Sequence, residues 1–227
     1  MLHYFTLNTI VETICFVIAF LCLKKDASLV WRSMVLFLFV TCVIEMSGIY
    51  FKRLYLADRV HAHPNIWLYN ILLLFQAGMF NWMFRQLLSK YIKSRPIIIS
   101  GLAILAILYA CEIFAHGIFI YNELTNTVMS VMLVMYSFYF YYCLIKDEAY
   151  IRLRNSPEFW WVAGVLFFYF GTTACNLFYN IVASLVINTK QSFNYYKYLY
   201  YAFNILLYGC WSYSFICKKW LTTTSKV

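Results

Sequence analysis

Apolar and polar positions along this chain fall into seven long apolar runs separated by short polar connections. The runs are Tyr4–Leu23, Leu29–Phe51, Asn65–Leu88, Ile97–Ile120, Leu124–Ile145, Phe159–Ile187 and Lys197–Cys217. Each is apolar on all sides, the pattern of a helix surrounded by hydrocarbon, and about 20 residues suffice to cross a bilayer core. Outer-membrane strands would instead alternate apolar and polar residues over segments of about ten. The pattern predicts an all-α polytopic membrane protein, a seven-transmembrane-helix bundle. One domain is expected over residues 1–217, followed by a short basic tail, 218–227.

Local signals sharpen two ends. Ser156-Pro157-Glu158 precedes an apolar run: Ser supplies an N-cap, Pro suits the first turn, and an acid suits the positive helix end. The first run follows no Lys or Arg and leads to no small-residue cleavage site. It therefore reads as a membrane helix and not as a cleaved signal peptide.

Composition agrees with the pattern. Only 12% of the 227 residues are charged, whereas a soluble domain carries about a quarter. The formal net charge of +9 could suggest nucleic acid, but the basic residues sit in the connections and form no patch on a soluble fold. Thirteen of the eighteen Lys and Arg fall on one side of the predicted bundle, with Lys52, Arg53, Arg59, Lys190 and Lys197 on the other. By the positive-inside rule the N-terminus is expected outside and the C-terminus in the cytoplasm, in a multi-pass protein of the bacterial inner membrane. The eight cysteines lie inside apolar runs without a CxxC or Cys/His cluster, which predicts packed free thiols.

The charged residues inside the runs change the picture most. Of nine acids, Glu12, Glu45 and Glu112 fall within spans, while Lys and Arg stay near span ends. An ionisable group at membrane depth costs about 2.5–3.5 kcal/mol on insertion scales, so each is a candidate for function. At about 1.5 Å of rise per residue the three glutamates lie roughly 10 Å below the outer surface. His116 lies one turn from Glu112, on the same helix face. Asn70, Asn176, Asn180 and Asn204 fall in the same slab. Helical spacing puts Thr41, Glu45, Gly48 and Lys52 on one face and Lys197, Tyr201, Asn204 and Tyr208 on another. Lys52 and Lys197 are thus candidate counter-charges to an outward-facing polar pocket. Asparagines at membrane depth also join helices by hydrogen bonds worth about 1 kcal/mol or less, so they carry less weight than the glutamates.

Several chemistries find no support. His116 alone lies at depth, too few ligands for haem or a catalytic metal. Asp58, His61 and His63 form a D-x-x-H-x-H cluster in a connection, which reads as solvated side chains. Cys111 and Glu112 are neighbours in sequence and so do not face each other. No Walker or other phosphate-binding pattern occurs. No cofactor and no enzymatic activity are expected.

Three stretches carry a resemblance: Ile44-Glu45-Met46-Ser47-Gly48-Ile49-Tyr50, Asn65-Ile66-Trp67-Leu68-Tyr69-Asn70-Ile71, and Ser156-Pro157-Glu158-Phe159-Trp160 leading to Gly164 and Tyr169. Together they resemble a set of small, mostly uncharacterised seven-helix bacterial membrane proteins, some associated with sensor histidine kinases. Members often carry Glu at the place of Gln76, where this chain departs. The resemblance implies sensing or signalling. The expected function is a sensor or receptor-like module that binds a small ligand, ion or proton and signals to a membrane partner such as a histidine kinase. The expected partners are the lipid bilayer, that kinase and a second copy of the chain, with no nucleic acid. The alternative is a small proton- or cation-coupled transporter of three-plus-one-plus-three type, hinted at by Asn70-Ile-Leu-Leu recurring as Asn204-Ile-Leu-Leu.

Overall fold

A computed structural model describes residues 6–59, 63–147, 153–185 and 189–221, with the backbone alone described at 176–185, 189–197 and 221. Among these residues the structure is all-helical. The long helices are α1 (Leu7–Leu23), α2 (Leu29–Ala57), α3 (Ile66–Leu88), α4 (Arg95–His116), α5 (Glu123–Lys146), α6 (Pro157–Leu185) and α7 (Thr189–Ile216). A π-helical turn, Cys217–Leu221, follows α7. Three helices, α2, α4 and α5, are long and apolar enough to cross a membrane, and α1 is apolar over 17 residues.

Helix ends follow local chemistry where it is present. Thr6 and Thr9 form a capping box at α1, satisfying two of its orphan N–H groups. α6 starts at Pro157 as expected, with the Phe159 N–H donating to Ser156 Oγ at 3.3 Å. Other boundaries differ from the apolar pattern. α2 continues past Phe51 to Ala57, because no Pro or Gly stops it, and so carries Lys52 and Arg53 on helix. α7 starts at Thr189, eight residues before the expected Lys197, with a polar, tyrosine-rich first half. α4 stops at His116 rather than Ile120, where Gly117 takes φ 77° and turns the chain.

Each helix packs on the next, and α7 also packs on α1, closing a ring; α3 additionally touches α5. Consecutive helices run antiparallel. Gly48 and Glu45 of α2 meet Asn65, the residue before α3, and Tyr69 of α3, and Pro157 and Trp161 of α6 meet Ser214 and Trp211 of α7. α1 and α7 run parallel: Tyr208 reaches Glu12, and beyond α7 Lys219 Nζ donates to the Leu21 carbonyl at 2.9 Å.

Buried and exposed residues are distributed inside out. Leu36, Phe39 and Val43 on α2, Ile104, Ile107 and Phe114 on α4, and Met135 and Phe138 on α5 are exposed, while Glu12, Asn70, Asn81 and Asn204 are buried. Apolar exposure on this scale marks a surface made for another apolar phase. None of the eight cysteines is in a disulfide, as expected, but Cys111 is exposed on this apolar surface, not packed.

The densest packing lies near the end that carries Lys24, Lys25, Lys90, Lys93, Arg154, Lys218 and Lys219. Trp161 and Trp211 stack there with ring planes 2° apart and centroids 5.9 Å apart, and Phe80, Phe84 and Phe37 meet them edge-on. Gly164 lies against this stack and allows α6 and α7 to pack closely. A side chain there would stand 3.1 Å from both the Leu207 carbonyl oxygen and the Trp211 ring, closer than ordinary contact, so a larger residue would push α7 away by a few tenths of an ångström. At the same end Lys90 pairs with Glu158 at 3.0 Å. Burial raises the Glu158 carboxyl, but Lys90, its own backbone N–H and Lys218 outweigh that and hold it below the usual range.

Candidate functional site

At the opposite end of the bundle the ring of helices encloses a cavity of about 680 Å³. Helical periodicity supplies its walls as one stripe per helix. α2 gives Phe37, Thr41 and Glu45; α3 gives Tyr69, Leu72, Leu73, Gln76 and Phe80; α5 gives Glu123, Asn126, Thr127 and Ser130. α6 gives Phe168, Tyr169, Thr172 and Thr173, α7 gives Tyr200, Asn204, Leu207, Tyr208 and Trp211, and Tyr121 enters from the α4–α5 connection. Trp211, Phe80 and Phe37 thus belong both to the cavity wall and to the aromatic stack below it.

Two acidic residues, Glu45 and Glu123, line the cavity, and Glu45 is the one that lies deeper along the helices. Its Oε2 accepts from the Tyr69 hydroxyl at 3.3 Å. Gly48, one turn on, makes room: a side chain there would stand 2.8 Å from that same hydroxyl, and the Gly48 carbonyl accepts from Asn65 Nδ2 at 3.0 Å. Behind Tyr208 lies Glu12, 2% exposed, joined to the Tyr208 hydroxyl and within electrostatic reach of Glu45. Its Oε1 has no hydrogen-bond partner among the described residues. No basic side chain pairs with either carboxyl among the described residues; Lys52 is exposed two turns beyond Glu45.

Four of the five Ser and Thr hydroxyls in the wall share one habit. Thr41, Thr127, Ser130 and Thr172 each donate to the carbonyl four residues back on their own helix, at 2.9, 2.9, 2.7 and 2.7 Å. With the hydrogen so placed, a hydroxyl has only lone pairs left to offer. Asn204 Nδ2 likewise donates to the Tyr200 carbonyl at 2.8 Å. These groups face the cavity as acceptors beside its aromatic rings, while the Gln76 and Asn126 amides and the tyrosine hydroxyls of the wall can donate.

No protein-family model, curated protein or solved structure matches this chain. The site rests on its own geometry.

The remaining sequence candidates divide sharply. Asn70 is fully buried, but its amide is committed to backbone: Nδ2 donates to the Ile118 and Ile120 carbonyls at 2.8 Å each, and Oδ1 accepts from the Asn122 N–H at 3.1 Å. Glu112 accepts from the N–H groups of Leu124 and Thr125 at 2.9 Å and from the Thr125 hydroxyl at 2.5 Å. It caps α5, whose own N-cap residue Asn122 makes no side-chain cap. His116 is exposed in the last turn of α4. None of these three lines the cavity; Asn70 and Glu112 instead fix the turn that delivers Tyr121 and Glu123 to it. His63 stacks on Phe119 of that turn at 4.5 Å, and His61 lies outside the described residues. The side chains of Asn176, Asn180 and Lys197 also lie outside the described residues. Among described residues no three His, Cys, Asp or Glu converge as metal ligands.

Sequence reasoning put Thr41, Glu45, Asn204 and Tyr208 on pocket-facing stripes but passed over Tyr69, Tyr121, Tyr169 and Tyr200 as pocket residues and the whole α5 wall. The α5 signal was present: Glu123, Asn126, Thr127 and Ser130 follow i, i+3, i+4, i+7, a polar stripe on an otherwise apolar helix.

Proposed function

We propose that this chain is a seven-span protein of the bacterial inner membrane, N-terminus outside and C-terminus in the cytoplasm. In it a sensor or receptor-like module binds a small ligand in an outward-facing pocket and signals to a membrane partner such as a histidine kinase. The orientation draws support from the basic residues gathered at the end opposite the cavity. The observation that carries the reading is the cavity itself, with Glu45 inside it and unpaired with any base among the described residues. A carboxyl kept at such depth without a base must hold a proton or meet a cation, and either event changes the charge between α2, α3 and α7. Five helices contribute to the wall, so a bound ligand bears on their relative positions, and those helices continue to the basic end.

The test fills the pocket with Ser130→Phe and, separately, neutralises it with Glu45→Gln. The expected result is altered phosphorylation of a co-resident histidine kinase in cells that insert both variants normally. Unchanged phosphorylation of every kinase removes the signalling reading. Proton-driven cation uptake into liposomes that Glu45→Gln abolishes assigns coupled transport instead.

A further inference from the structure

We infer that the pocket takes an organic cation, a protonated amine or quaternary ammonium, a statement that rests on the pocket reading above and names its ligand class. Three features converge. The first is charge: Glu45 lies inside the cavity and Glu123 lines it from the first turn of α5, with no Lys, Arg or His among the described lining residues. Glu12 adds a carboxyl behind Tyr208, its Oε1 buried and without a partner among the described residues. The second is the wall. Tyr69, Tyr200, Tyr208 and Trp211 are among nine aromatic residues lining the space, and ring faces attract cations within about 6 Å of their centroids. The third is hydrogen-bond polarity. The hydroxyls of Thr41, Thr127, Ser130 and Thr172 spend their hydrogens on helix carbonyls and leave lone pairs.

An anion would meet the Glu45 and Glu123 carboxyls with no Lys, Arg or His among the described lining residues to pair with it. A bare metal ion would find no converging set of three acidic, His or Cys ligands among the described residues, in a space far larger than its coordination shell. A volume of about 680 Å³ instead fits the range of small-molecule sites, about 300–1,000 Å³. A neutral apolar ligand would leave Glu45 with no role. An alkyl or aryl ammonium satisfies charge, rings and lone pairs together.

The experiment uses the full chain in lipid nanodiscs and three isosteric probes: benzyltrimethylammonium, its uncharged carbon analogue neopentylbenzene, and the anion benzylsulfonate. Binding is read by calorimetry and by the shift in thermal unfolding. The cation is expected to bind and stabilise, with the other two at least about tenfold weaker, the loss that follows from removing a charge-assisted contact. Glu45→Gln is expected to weaken the cation by a similar factor and leave neopentylbenzene unchanged. Should Glu45→Gln fail to fold, Glu123→Gln and Tyr69→Phe carry the test, and unchanged cation affinity in both overturns the assignment. Equal or tighter binding of the neutral or anionic probe overturns the cation assignment and leaves the pocket standing. Binding of none of the three overturns the pocket reading with it.

Discussion

The two ends of this bundle are built from the same seven helices and solve opposite problems. Toward the basic end, Trp161, Trp211, Phe80, Phe84 and Phe215 fill the interior, each at most 1% exposed. Toward the other end the same helices hold Thr, Ser, Asn and Glu, and the interior opens. The difference arises within single helices: α7 is Tyr200 and Asn204 above, Trp211 and Phe215 below, and α2 is Glu45 and Thr41 above, Phe37 and Trp31 below. A buried aromatic side chain contributes through area and contact, whereas a cavity forfeits both along its lining. Stability should therefore reside at the basic end and function at the other, and substitutions can test that division.

The largest effect is expected in the stack. Trp211→Ala should cost about 3–5 kcal/mol, as large aromatic truncations in packed cores do, read by denaturant or thermal unfolding in lipid. A loss below about 1 kcal/mol would break the comparison, since the floor would then be as loose as the pocket. Asn70→Ala should come next, costing about 1–3 kcal/mol, because it leaves buried backbone groups of the α4–α5 turn unsatisfied. It should act on stability while leaving pocket affinity to change only through Tyr121 and Glu123. Glu112→Ala should cost about 1 kcal/mol through the lost α5 cap, with hydrogen exchange rising at the Leu124 and Thr125 amides.

The Lys90–Glu158 pair should contribute little, within about 1 kcal/mol, since Lys90 is largely exposed and solvent screens the pair. Its sign is fixed by the lowered Glu158 carboxyl. The contribution is present above the unfolded-state carboxylate range and is lost as pH falls through the lower, folded-state value. Glu158→Gln should flatten that acid limb of the unfolding profile; an unchanged acid limb would show the pair to be inert. Smallest of all, Thr172→Ala in the cavity wall should change stability by less than about 0.5 kcal/mol, because its hydroxyl bonds only its own helix.

What could be read in advance followed from local chemistry. The all-helical class, the α6 start at Ser156-Pro157 and the inward polar faces of α2 and α7 depend on residues a few positions apart. The roles of Asn70 and Glu112 depend on partners in another element, Ile118 through Asn122 and Leu124 and Thr125, and depth along a helix does not reveal them. Matched depth suggested one polar layer; the structure divides it into a cavity wall and a clamp on a turn. The extended start of α7 escaped the apolar pattern because Tyr, Asn and Lys dilute it, although nothing there breaks a helix. Apart from Tyr208, the aromatic wall escaped because large aromatic side chains are as often buried in packed cores as in pockets.

The Trp161–Trp211 stack has one consequence for energy conversion. A water-filled vestibule conducts ions and so shares the electrical potential of the solution it opens to. Were the chain inserted as proposed, with the cavity open to the outer solution, the voltage across a polarised membrane would fall mainly over the segment between Trp211 and the basic end, and little of it over the path to Glu45. A charge crossing the full potential gains or loses about 2.3 kcal/mol per 100 mV. A cation entering this cavity would experience only a small part of that. Occupancy of the pocket would therefore follow the concentration outside the cell and be nearly blind to the cell's energetic state.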